Sequence, residues 1–171
     1  FFKQKTAYAI GVRLVGSEMC IRDSGLPDLI GVDGQSRLCW WRRVRRDGAL
    51  RLAAAELPVD HAGNPFVVAG EGRHVGRTKI SVCDWDHDGR VDVLCSPVIA
   101  QNRGYQLFYK NMAVREGTVV LRSEPQRIVL SNVATPPFTH YAMCEPVDFD
   151  GDGQWEVLAG FDRGFIYYWR E

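Results

Sequence analysis

The chain lacks any apolar run approaching the roughly 20 residues that span a bilayer. It also lacks net charge, since 21 Lys+Arg balance 21 Asp+Glu. No membrane span is therefore expected in this sequence, and no general electrostatic pull on nucleic acid or anionic lipid. Cysteine is sparse: five in 171 residues, too few for a disulfide-dense miniprotein, and no two stand in the C-x-x-C spacing of a zinc site. No G-x-S-x-G, P-loop or dinucleotide fingerprint occurs. His74, His87 and His140 share no spacing that would make a zinc site or a triad, and they read as surface or loop residues. What is present is a globular composition, 46% hydrophobic and 25% charged, rather than a disordered one.

The first 24 residues stand apart. They show neither the apolar core nor the small-residue cleavage site of a secretory signal, and neither strand alternation nor a helical stripe. Lys3-Gln4-Lys5-Thr6-Ala7-Tyr8 and Gly16-Ser17-Glu18-Met19-Cys20-Ile21-Arg22-Asp23-Ser24 resemble, in order, conceptual translations of two short-read sequencing adapters. Ala9 departs from that pattern, which predicts Glu. Residues 1–24 are accordingly expected to be a non-native, adapter-derived segment. Residues 25–171 then carry 17 Lys+Arg, 19 Asp+Glu and four cysteines, a net charge of about −2.

An internal repeat organises residues 25–171. Asp84-Trp85-Asp86-His87-Asp88-Gly89-Arg90-Val91-Asp92 recurs downstream as Asp148-Phe149-Asp150-Gly151-Asp152-Gly153-Gln154-Trp155-Glu156. A short apolar run follows each, Val93-Leu94-Cys95 and Val157-Leu158-Ala159. The interval from Asp84 to Asp148, stepped back once more from the first copy, reaches a third. There Gly25-Leu26-Pro27-Asp28-Leu29-Ile30-Gly31 matches the second half of the motif, while Cys20, Arg22 and Ser24 stand where its leading acids should be. An aromatic strand follows each copy: Leu38-Cys39-Trp40-Trp41-Arg42, Leu107-Phe108-Tyr109-Lys110 and Ile166-Tyr167-Tyr168-Trp169-Arg170. The offset from the motif glycine to the last aromatic is the same from Gly25 to Trp41 as from Gly153 to Trp169. It is longer from Gly89 to Tyr109, so the middle copy has about four extra residues, expected in a turn at 101–104.

The coarse secondary structure is all β. Short β-branched and apolar runs at 79–84, 91–96, 105–110, 118–122 and 127–130 read as strands. Turn residues separate them at 63–65, 102–104 and 135–137. Residues 50–57 look helix-like but lie between Gly48 and Pro58, which leaves strand or loop. Several short strands per repeat point to a propeller or another β-array.

The spacing D-x-D-x-D-G-x-x-D/E has a physical reason. Acids at positions 1, 3 and 5 of a curled loop converge on one point, and glycine at position 6 supplies the positive φ of the curl. The carbonyl of position 7 and an acid at position 9 complete the 6–8 hard oxygen ligands that Ca²⁺ prefers. The expected ligands are Asp84, Asp86, Asp88, Asp92 and the Arg90 carbonyl in one loop. In the other they are Asp148, Asp150, Asp152, Glu156 and the Gln154 carbonyl. Four carboxylates this close repel one another without a cation. The alternatives are a solvated acidic turn and a catalytic carboxylate pair, but acids bundled around one cation are poor proton donors. An EF-hand would need flanking helices and Glu at position 12, where Cys95 and Ala159 stand.

Motif and β context together resemble the FG-GAP or VCBS repeat family, the calcium-binding blades of integrin-α-like propellers. The resemblance covers about residues 25–171 and is strongest at the two loops and at 79–94. It implies a partial β-propeller whose blades are as long as the interval from Asp84 to Asp148. These would be a partial repeat 25–78, a repeat 79–142 and an incomplete repeat 143–171. It implies calcium in the loops between adjacent strands, at the ten residues just named. A third site would be truncated to Asp28, and Glu156 departs from the more usual Asp. Propellers typically have 4–8 blades, so the chain is expected to be a piece of a larger protein.

Two functions fit such blades. One is a non-catalytic extracellular binding or adhesion scaffold for protein or carbohydrate. The other is part of a secreted carbohydrate-active enzyme, polysaccharide lyase-like. A secreted, periplasmic or cell-surface setting is expected, because weak calcium sites fill there. Trp40, Trp41, Tyr168 and Trp169 are expected mainly in packing, with one of each adjacent pair facing outward as a possible sugar contact. Cys83 and Cys95, on strands expected to be neighbours, are the best disulfide candidates among the remaining cysteines. Arg42, Arg43, Arg45 and Arg46 read as a solvated strand end.

Overall fold

The computed structural model describes residues 18–21, 27–68, 78–96, 105–129, 143–160 and 166–170. The turns expected at 101–104 and 135–137, and His74 and His140, lie outside the described residues. All regular structure in them is β, in small antiparallel sheets. The first sheet orders β1 (Glu18–Ile21), β2 (Pro27–Val32), β3 (Leu38–Arg46) and β4 (Ala49–Glu56) side by side. The second runs β5 (Lys79–Cys83), β6 (Asp92–Ser96), β7 (Tyr105–Tyr109), β10 (Gln126–Val129). The third runs β11 (Met143–Val147), β12 (Glu156–Gly160), β13 (Ile166–Trp169). A separate hairpin of β8 (Asn111–Arg115) and β9 (Thr118–Leu121) lies between β7 and β10 in sequence. It docks on the first sheet's trailing loop, where the Val59 and Leu121 amides donate to Val119 and Val59. Among the described residues no helix is long and apolar enough to cross a membrane.

The sheets stack face to face through the second. Strand β6 is buried along its whole length, which explains why its sequence is a run rather than an alternation. Val93 and Cys95 point to one side, where Ile80, Leu107 and Tyr109 join Ile30, Leu38, Phe66 and Leu121. Leu94 points to the other, with Cys83 and Phe108 against Val157 and Ala159. Each large side chain so buried contributes about 1.5–3 kcal/mol. Phe66 and Tyr109 meet edge to face at 4.9 Å. The leading strands also meet: β5 lies against β1 and against β11. Ser81 of β5 donates to Glu145 of β11 at 3.4 Å.

Turn chemistry sets the hairpins. Asp47 and Gly48 (φ 51° and 75°) join β3 to β4, and Glu116 and Gly117 (φ 49° and 83°) join β8 to β9. Both are two-residue turns of the primed kind, whose twist matches the strands they join. The helix-like stretch at 50–57 is strand: Leu50 and Leu52 pair with Arg45 and Arg43 across the β3–β4 ladder. Arg45 and Arg46 are exposed at the end of that hairpin, in line with a solvated strand end.

The expected Cys83–Cys95 disulfide is not formed; Cys39, Cys83 and Cys95 are buried thiols. The strands are neighbours, but the register opposes Cys83 to Asp92 and Cys95 to Ile80. The two sulfurs therefore lie on opposite faces of the sheet, in different cores. Part of the segment set aside as foreign is described as β1. It pairs with β2 as β5 pairs with β6, but one residue out of step: Cys20 opposes Asp28, whereas Cys83 opposes Asp92.

Candidate metal sites in two acidic loops

Each acidic loop joins the first two strands of its sheet, β5 to β6 and β11 to β12. Their backbones curl alike. Position 6 is Gly89 (φ 84°) and Gly153 (φ 88°), as the spacing requires. Position 4 is also left-handed, at His87 (φ 57°) and Gly151 (φ 79°), so the curl needs two such residues rather than one. The acid at position 9 begins the second strand and is wholly buried, 0% exposed for both Asp92 and Glu156. It ties the loop shut: Asp92 accepts the Trp85 amide at 3.1 Å, and Glu156 accepts the Phe149 amide at 2.8 Å.

In the first loop, carboxylate oxygens of Asp84, Asp86 and Asp92 lie within 4.8 Å of one another. Oxygens on opposite sides of a Ca²⁺ held at 2.3–2.6 Å are about 5 Å apart, so the cluster has the right size. Asp84 also accepts the Asp88 and Gly89 amides, each at 2.9 Å. Asp92 uses its second oxygen on the Asn111 amide at 2.8 Å. Burial pushes the Asp92 carboxyl up to about 6; Asp86 and Asp88 add repulsion, and the Asn111 and Trp85 amides oppose it. Asp88 is not in the cluster. It pairs with Arg90 and, at 2.8 Å, with Lys110, and Lys110 holds its carboxyl below the usual range. The Arg90 side chain donates onward to the Asn111 carbonyl at 2.9 Å.

In the second loop the clustered oxygens belong to Asp148, Asp150 and Glu156. Asp152 stands aside, accepting the Gln154 amide at 2.8 Å and pairing with Arg170; that amide is the chief cause of its lowered pKa. Gln154 is exposed. Arg170 also meets Asp150 at 2.6 Å and stands 3.9 Å from Glu156 Oε1. Two buried oxygens here, Asp148 Oδ1 and Glu156 Oε1, accept no hydrogen bond. Buried carboxylate oxygens are rarely left so. The donor set is all oxygen and anionic, and it fits a hard divalent cation.

Asp28, the remnant of a third motif, is buried at 2% exposure. Its oxygens accept the Trp40 indole N–H at 3.0 Å and the Arg43 amide at 2.9 Å. Trp40 is thus tied through its indole N–H to a buried carboxylate. The aromatics at the second loop differ: Phe149 and Tyr168 are 68% and 46% exposed with ring centroids 5.6 Å apart. The side chain of Trp169 lies outside the described residues. The loops are linked to each other by Trp155, whose indole donates to the Asp84 carbonyl at 2.6 Å.

Three residues escaped the reading of the sequence: Asn111, Lys110 and Arg170. The basic pair had a signal, since each follows the last aromatic of its strand, as Arg42 does in the first sheet. No family model, no curated protein and no solved structure matches the chain.

Proposed function

We propose that residues 25–171 are calcium-binding propeller blades of the FG-GAP/VCBS kind, serving as an extracellular binding or adhesion scaffold for protein or carbohydrate. One observation carries the calcium reading: fully buried Glu156, one of whose oxygens accepts no hydrogen bond, is clustered with two further carboxylates in a loop whose spacing and curl recur around Asp92. A cation there would satisfy charges that the fold otherwise holds in conflict. The blade reading draws support from three sheets that repeat one strand order and meet at their leading strands. The exposed Phe149–Tyr168 pair beside the second loop suits a flat apolar ligand face such as a sugar ring. A site with Kd near 0.1 mM in about 1 mM Ca²⁺ adds roughly 1.4 kcal/mol of stability. Such a site fills outside a cell and stays empty in the cytosol, which is why the extracellular setting is proposed.

Isothermal titration of the chain with CaCl₂ should report two sites, with Asp84→Ala and Asp148→Ala each removing one. Absence of both heat and a calcium-dependent melting shift would sink the proposal.

A further inference from the structure

We infer that Lys110 and Arg170 are tethered counter-ions that hold the acidic loops when no metal is bound, so that they set the affinity of each site and make the second loop fill before the first. This rests on the reading of the loops as cation sites. The two residues are equivalent by position, each directly following the third strand of its sheet, β7 or β13. Each reaches back over its own loop. Lys110 bridges Asp86 and Asp88; Arg170 bridges Asp150 and Asp152 and approaches Glu156. Arg42 is the matching residue in the first sheet, where the leading acids are missing. It turns instead to Glu56 at 2.7 Å. The basic residue thus lies over an acidic loop in the two sheets whose loop has its full set of acids.

A divalent cation entering either loop meets this positive charge at close range, and the two compete for the same oxygens. The loops differ in what the metal must displace. In the first, two cations, Arg90 and Lys110, offset four carboxylates, and both oxygens of Asp84 and of Asp92 already accept backbone amides. In the second, Arg170 is the one cation among the described residues paired with the loop's acids, at Asp150, Asp152 and Glu156, and Asp148 Oδ1 and Glu156 Oε1 accept no hydrogen bond. Metal binding at the second loop therefore gains two idle buried oxygens and displaces one guanidinium. At the first loop it must displace Lys110 from Asp86, with Arg90 remaining on Asp88, and it gains no idle oxygen on Asp84 or Asp92.

The test is calorimetric titration of CaCl₂ into the full chain, its Arg170→Gln and Lys110→Gln variants, and the charge-keeping Arg170→Lys and Lys110→Arg variants, with circular dichroism as the folding control. Asp84→Asn and Asp148→Asn assign the steps. Arg170→Gln should tighten the stronger step, and Lys110→Gln the weaker, each roughly tenfold. The charge-keeping variants should stay within about threefold of the parent. Unchanged or weaker binding in both Gln variants overturns the inference, as does loss of the weaker step in Asp148→Asn. A parent chain that binds calcium while the Gln variants do not differ from it defeats this inference alone. A parent chain that binds no calcium defeats the metal reading and takes the inference with it.

Discussion

Glu156→Gln separates a metal ligand from an ordinary structural acid, because its effect should depend on calcium in opposite directions. The side chain is fully buried. Its Oε2 holds the Phe149 amide at 2.8 Å, and its Oε1 has no hydrogen bond, with the Arg170 Nε 3.9 Å away. Gln can keep the Phe149 bond through its carbonyl, and its amide can donate to Asp148 Oδ1, which also lacks a partner. An unsatisfied buried polar group costs about 1–3 kcal/mol, so the variant should be more stable than the parent in chelator by about that amount. For a chain of this length that is a rise of about 2–4 °C per kcal/mol. In 1 mM calcium the parent should gain roughly 1.4 kcal/mol from a 0.1 mM site, and the variant should lose that gain. Thermal melts of both chains in chelator and in calcium give the four numbers needed. A variant that is less stable than the parent in chelator by about 1 kcal/mol or more, with the same calcium shift, would refute the assignment of Glu156 as a ligand.

Asp92 should leave a mark on the pH dependence of the metal-free chain. Its folded pKa, about 6, lies above the unfolded value near 3.9. The folded state therefore holds the proton more tightly, and stability from this residue is lost as pH rises from about 4 through 6. Melting temperatures of parent and Asp92→Asn chains in chelator should diverge over that window, the variant declining less; parallel curves would contradict it. Cys95 is buried and its thiol is pushed up to about 12, so it should resist iodoacetamide at pH 8 in the folded chain, as mass spectrometry would show; prompt labelling would mean that the core around β6 opens. His87 adopts φ 57° at a position where the second loop has Gly151. His87→Gly should therefore be neutral or stabilising by up to about 1 kcal/mol despite its entropic cost. A destabilisation above about 1 kcal/mol in urea unfolding would show that the imidazole, not the backbone, matters there.

What the sequence made legible is what short range decides. The carboxylate spacing could be read because nine consecutive residues set the loop's curl. The apolar run at the centre of β6 could be read, but not that the strand is covered on both faces with Asp92 and Ser96 buried at its ends. The identity of 50–57 could not be settled from Leu-Ala-Ala-Ala-Glu, whose propensity is helical; pairing with β3 decides it, although Asp47-Gly48 carried a hairpin signal. The disulfide expectation failed for a related reason. Neighbouring strands can be inferred from pattern, but a shift of one residue exchanges faces, and Cys83 and Cys95 fall on opposite ones. Lys110 and Arg170 were hidden because their acidic partners are remote in sequence, across strands whose register the sequence does not state.

The position-9 acid explains why part of the motif can stand without a cation. Asp92 joins the start of its loop, through the Trp85 amide, to the start of the β8 hairpin, through the Asn111 amide. Asp28 has the corresponding place in the first sheet and accepts the Arg43 amide, but its loop lacks leading acids and the Trp40 indole takes the other oxygen. Two donors satisfy Asp28 fully enough that burial needs no metal. In the second loop Glu156 keeps the Phe149 amide but has one oxygen to spare. The same buried position is thus a strand clamp in all three sheets. A cation should engage it most readily where acids at positions 1 and 3 surround it and a second donor does not reach it. By that criterion the loop around Glu156, rather than the better-bonded loop around Asp92, is where a cation should bind first.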